Sequence, residues 1–244
     1  MQPAKKPNIR DLSLEEIQQY FEKAGDKKFR ANQVYEWLWQ KHAHSFEAMT
    51  NLSKPLRTRL SEDFILPALI LDASQFSADG TIKSRFKTVE GHLVEGVLIP
   101  TESRQTACVS SQIGCSLSCK FCATGYMDRK RNLHFDEIYD EVVLIHQQAE
   151  KTYQKKLSNI VFMGMGEPLL NYKNVLKAIE RISSPDGLGM SARRITVSTA
   201  GVAKMIRQLG DDEVKFKLAL SLHAANDKKG TRSCLSTIPI ILNR

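Results

Sequence analysis

Residues 108–125 read CVSSQIGCSLSCKFCATG. Four of the chain's five cysteines, Cys108, Cys115, Cys119 and Cys122, fall in this stretch; the fifth is Cys234. An odd and crowded set argues for metal or redox chemistry over disulfide staples. Cys115, Cys119 and Cys122 make a C-x3-C-x2-C motif. Three thiolates on one short loop can each grip an iron of a [4Fe–4S] cluster and leave the fourth iron without a protein ligand. That vacant corner suits S-adenosylmethionine (SAM), whose amino and carboxylate groups can chelate it. A structural zinc site is the alternative, and it needs a fourth ligand such as Cys108 or His134.

Outward from the loop, strands and helices alternate. Strands are expected at 104–112, 158–163, 194–199 and 215–221, with helices near 134–150, 171–183 and 201–209. Such alternation means parallel strands joined by right-handed crossovers, with chemistry on the loops after the strands' C-terminal ends. The cysteine loop sits there. So do the MGMGEP turn (residues 163–168), Ser198, and the run Ser221, Leu222, His223. Glycines in the turn let the backbone approach a ligand closely, and Glu167 can meet an ammonium group.

Upstream, TIKSRFKTV and HLVEGVLIP alternate with period 2 and are flanked by Asp79-Gly80 and Glu90-Gly91, which predicts a β-hairpin. Glu95 lies within it, where burial could make its carboxyl a base. Before residue 75 the pattern is helical. Ser13 and Glu16 form a capping box, Ala31, Val34, Trp37 and Leu38 repeat at helical spacing, and Ser53 with Pro55 opens a third helix. The expected organisation is a helical accessory domain over 1–75, a hairpin connector over 76–103, an α/β core over 104–229 and an aberrant tail over 230–244.

The composition, 42% hydrophobic and 25% charged in 244 residues, is that of a globular protein. No apolar run reaches the roughly 18 residues that span a bilayer, and the N-terminus has no apolar signal core, so a cytoplasmic protein with no membrane association is expected. The net charge of +8 favours anionic partners such as nucleic acid. Arg129, Lys130 and Arg131 follow the cysteine loop and could hold phosphates, with Lys155, Lys156, Arg193 and Arg194 as further candidates.

CVSSQIGCSLSCKFCATG, GMGEPL, VSTAG and SLHA, in that order, resemble the RlmN/Cfr family of radical SAM RNA methyltransferases, and HLVEGVLIP fits its RlmN branch. The resemblance implies an incomplete partial (β/α) barrel, with Cys115, Cys119 and Cys122 as cluster ligands. It implies Gly166, Glu167, Ser198, Ser221, Leu222 and His223 as SAM contacts, Glu95 as proton acceptor, and Cys108 as a thiol that resolves a covalent enzyme–RNA intermediate through a transient disulfide. The implied substrates are adenine 2503 of 23S rRNA and adenine 37 of tRNAs, methylated at carbon 2 through a methyl-cysteine, with an electron donor such as flavodoxin. The enzyme would act as a monomer. The alternatives are a Cfr-like methyltransferase of adenine C8 and a zinc-stabilised RNA-binding module.

The family pattern continues beyond Arg244 with further barrel strands, a SAM-contacting Asn and the methyl-carrying cysteine. Cys234, in the unmatched stretch GTRSCLSTIPIILNR, is no convincing replacement. A permissible back-translation of residues 229–241, read two bases later, gives RNEIMPINDSNN, close to a family motif of the form R-x-x-x-M-P-I-N. A frameshift near Lys229 and an inactive, truncated product are therefore expected.

Overall fold

The computed structural model describes residues 6–222, which divide between Ala68 and Leu69 into a helical unit and a sheet unit, residues 184–189 grouping with the first.

In the helical unit, α1 (Leu14–Lys23) begins at the predicted capping box. The Glu16 N–H donates to Ser13 Oγ at 3.2 Å, and the Ser13 N–H donates to the Glu16 carboxylate at 2.7 Å. Gly25 follows it with φ +75°, in the left-handed region where a helix commonly ends. α2 (Phe29–Trp39) and α3 (Lys54–Asp63, Pro55 in its first turn) follow. Ile17, Phe21, Val34, Leu38 and Leu60 are buried between these helices. Each such side chain contributes about 1.5–3 kcal/mol. Trp39 is the fully buried tryptophan, while Trp37 is half-buried and donates its indole N–H to Asn51.

The sheet unit has seven strands in the order β1-β2-β3-β4-β7-β8-β9. β1 (Ile70–Phe76), β2 (Ile82–Lys87), β3 (Leu93–Pro100) and β4 (Gln105–Val109) pair antiparallel. β5 (Gln112–Ile113) and β6 (Arg131–Asn132) form a separate ribbon around the cysteine loop. β7 (Asn159–Phe162), β8 (Ile195–Thr199) and β9 (Lys217–Leu220) extend the sheet in parallel from β4. α4 (Phe135–Tyr153), α5 (Tyr172–Ser183) and α6 (Ala203–Asp211) are the crossover helices. The four parallel strands are those expected. The hairpin is not isolated: β1 joins it, inside the span assigned to the helical domain, and β3 runs directly onto β4. β1 lacks the buried alternation that marks its neighbours, because most of its residues are exposed.

Strand periodicity gives the sheet two unlike faces. Val94, Leu98, Ala107, Val109, Ile160, Ile195 and Val197 are buried on one face, where α4 lies against β3 and β4. Register places Lys83, Val97, Cys108, Val161 and Thr196 in one row across the opposite face, with Arg85 and Glu95 a step along the strands. Those residues are half-buried or exposed. No helix among the described residues is long and apolar enough to cross a membrane.

Candidate functional site

The loops after β4, β7, β8 and β9 share one end of the sheet and one cavity of about 260 Å3. Cys115, Cys119 and Cys122 line it from the first loop, Gly166 and Glu167 from the second, Ser198 from the third strand and Ser221 from the fourth loop. The ligands of a cubane each hold a different iron, so they surround a volume rather than a point. Among the described residues no three His, Cys, Asp or Glu side chains gather about a single-ion site. Burial pushes the Cys115 thiol above its ordinary pKa. A coordinating metal would deprotonate it outright.

Local backbone chemistry folds the loop. Gly114 sits at φ +76°, and a Cβ there would meet the Asp128 carbonyl oxygen at 2.2 Å, so only glycine lets the chain turn into the cysteines. The Cys122 N–H donates to the Cys119 carbonyl and the Gly125 N–H to the Cys122 carbonyl, winding the segment into consecutive turns. Phe121, more than half exposed, lines the cavity.

The glycines of MGMGEP serve packing as well as any ligand. A Cβ on Gly166, at φ +92°, would lie 2.5 Å from the Gln112 side chain, and one on Gly164 would lie 2.6 Å from Ser110 Oγ. The turn therefore docks against the start of the cysteine loop. Gln112 Oε1 accepts the Glu167 N–H at 2.9 Å, and Ser110 Oγ accepts the Met165 N–H at 2.8 Å. The buried Glu167 carboxylate accepts the Leu169 N–H at 3.1 Å and the Ala200 N–H at 2.8 Å. It thus ties the second loop to the third, and each oxygen keeps a lone pair that an ammonium could use. Ser198 Oγ and Ser221 Oγ are 3.0 Å apart on the cavity wall. Leu222 is exposed and is not among the lining residues, and His223 and Cys234 lie outside the described residues, as does the tail.

Comparison with known proteins identifies this arrangement. Residues 109–239 match the family described as the radical SAM superfamily, and residues 7–66 match the ribosomal RNA large subunit methyltransferase N-terminal domain. The chain belongs to the radical SAM superfamily. It is 62% identical to a probable dual-specificity RNA methyltransferase RlmN of Cytophaga hutchinsonii, over 92% of this chain and 62% of that protein. It is 57% identical to the one of Christiangramia forsetii, over 93% of this chain and 65% of that protein. The chain thus spans 62–65% of the length of these curated relatives. A crystal structure of a radical SAM methyltransferase from Sphaerobacter thermophilus superimposes with a TM-score of 0.85 at 38% identity, covering 94% of this chain and 67% of that one.

The two remaining radical SAM candidates lie on the half-exposed face, outside the cavity lining. Glu95 is half-exposed rather than enclosed, and its carboxylate pairs with Lys83 Nζ at 2.9 Å. Cys108 is one strand over, and the backbone N–H of Met163, itself a cavity residue, donates to its sulfur. Burial pushes the Cys108 thiol up to about 11. Of the expected phosphate contacts, Arg131 proves to be a clamp. It holds Glu137 of α4 and Glu90 of the hairpin turn, both at 2.6 Å, and those carboxylates push its pKa higher still. Arg129 donates to Asn132, Lys155 to the Glu102 carbonyl and Arg194 to the Ser158 carbonyl.

Sequence reasoning missed Glu141. It is fully buried in α4, and the Ser110 N–H donates to its two oxygens at 3.1 and 3.2 Å. Ser110 Oγ donates to the Glu95 carbonyl at 2.7 Å, so this pair joins α4, β3 and the Met165 turn. Its signal was present: Ile138, Glu141, Val142 and Ile145 share one helical face.

Proposed function

We propose that this chain is the catalytic core of an RNA methyltransferase that forms 2-methyladenine, at adenine 2503 of 23S rRNA and adenine 37 of tRNAs, with a protein such as flavodoxin as electron donor. The carrying observation is convergence: cysteines from one loop, Gly166 and Glu167 from a second, and Ser198 and Ser221 from two further strands line a single cavity. Cys115, Cys119 and Cys122 would hold a [4Fe–4S] cluster whose open iron takes SAM, and together these would supply the carbon radical that an unreactive ring carbon requires.

The chain's own residues do the rest. Glu167, held by two backbone N–H groups, presents a fixed negative charge to an ammonium. Ser198 and Ser221 offer hydroxyls that can donate or accept toward SAM's polar groups. Glu95 would accept the proton that leaves the substituted adenine. Cys108, beside Met163 at the cavity edge, would supply the thiol that releases the product.

The reading is tested by expressing the gene in a host lacking its own adenine-C2 methyltransferase and digesting rRNA and tRNA for mass spectrometry. The expected product is 2-methyladenosine when the chain is joined to the remaining part of the Cytophaga hutchinsonii relative, of which it spans 62%, and its loss in Cys119→Ala. Methylation at C8, or none with an intact cluster, would contradict the C2 assignment.

A further inference from the structure

We propose that the exposed cations of β2, Lys83, Arg85 and Lys87, form the track that takes the phosphate backbone of the RNA and sets its base against Glu95 and Cys108. The inference rests on the RNA reading above and assigns the surface by which that substrate would be held.

Alternation along β2 is strict: Ile82, Ser84 and Phe86 are buried, and Lys83, Arg85 and Lys87 are exposed. Register decides which face the cations occupy. Arg85 stands opposite Glu95, and Lys83 stands opposite Val97, which stands opposite Cys108. All three cations therefore share the face of the two residues proposed to act on the base. Alternate strand residues are about 7 Å apart, a spacing on the scale of successive phosphates in an extended strand. On the same face, Val97 lies between Lys83 and the thiol and Leu93 stands opposite Lys87, and both offer apolar surface to a base.

Two of the cations carry internal carboxylates. Lys83 pairs with Glu95 at 2.9 Å, and Arg85 pairs with Asp72 at 2.5 Å. Both pairs are substantially exposed. Exposed pairs contribute little to stability, so phosphate can replace carboxylate at little cost while condensed counterions are released from the RNA. Lys87 makes no ion pair among the described residues. Exchange at Lys83 has a consequence for the chemistry: a phosphate that takes the ammonium leaves the Glu95 carboxylate free to receive a proton. The other basic candidates are worse placed, since Arg131 is committed to two glutamates and Lys155 to a backbone carbonyl.

The test measures binding of a fluorescent anticodon stem-loop RNA, with an unpaired adenine in the loop, to the 244-residue chain across a salt series. Lys83→Gln/Arg85→Gln/Lys87→Gln should weaken binding by about tenfold and lower the slope of log affinity against log salt by about 2, near 0.7 per phosphate contact. Lys173→Gln/Lys204→Gln/Arg207→Gln, the same loss of charge on exposed positions of the crossover helices, should leave the slope unchanged. If the triple variant does not fold by circular dichroism, Lys87→Gln carries the test alone, with a slope change of about 0.7. A triple variant, or Lys87→Gln alone, that binds with wild-type affinity and slope would overturn the track. Equal losses in both multiple variants would show a diffuse charge effect and also overturn it. Failure of the wild-type chain to bind this RNA would remove the RNA reading itself, and the track with it.

Discussion

Leu98 and Val97 are neighbours on β3 and belong to different parts of the protein's work. Leu98 points into the layer beneath the crossover helices and is fully buried; Val97 points to the half-exposed face, in register with Lys83 and Cys108. The same alternation runs through β2, β4, β7 and β8. One set of positions stabilises the sheet, and the other carries charge, thiol and carboxylate. The two sets therefore answer to different substitutions, and each can be changed with limited cost to the other.

That contrast sets the order of expected effects. Leu98→Ala should cost about 2–5 kcal/mol by denaturant unfolding, and Val97→Ala clearly less; equal costs would mean the two faces are equally packed. Cys108, pushed up to about 11 from 9.0, should react with iodoacetamide about a hundredfold more slowly at neutral pH than an unperturbed thiol. A rate near that of free cysteine would show the thiol to be less buried than described.

Glu141 gives a smaller, pH-linked effect. Burial first, and then the neighbouring Glu137, raise its pKa, so the folded state holds its proton while the unfolded state releases it near 4.5. Stability should therefore decline as pH rises above about 4.5 toward the folded-state value. Cys108 from β4 and Glu137 from its own helix are the titratable groups that face it. Glu141→Gln cannot ionise. Its melting temperature should gain on that of the wild type between about pH 5 and pH 8, and parallel profiles would contradict a protonated Glu141. Smallest of all, Lys83→Gln should change stability by less than about 1 kcal/mol, since the pair it breaks is exposed.

The same division explains what could be read from sequence. The cysteine loop was legible because its C-x3-C-x2-C spacing is local in the chain. β2 and β3 were legible because one of their faces is buried, which leaves a period of 2. β1 was not: its residues are mostly exposed on both faces, so ILDASQF carries no pattern. The glycines of the MGMGEP turn were seen, but their reason was half right, because Gly164 and Gly166 are required by Ser110 and Gln112 across the sheet. Glu141 was passed over although it shares a helical face with Ile138, Val142 and Ile145. Glu95 read from the residues alone as an exposed strand position, and only the structure shows the lysine that meets it.

The proposed chemistry depends on Cys115, Cys119 and Cys122 holding a cluster between them. The direct measurement is iron, zinc and sulfide content after anaerobic reconstitution, read together with 5′-deoxyadenosine released from SAM. The account expects close to four irons per chain with a visible absorption band, nucleoside release on reduction, and loss of both in Cys119→Ala. One zinc per chain, or no bound metal, would contradict it.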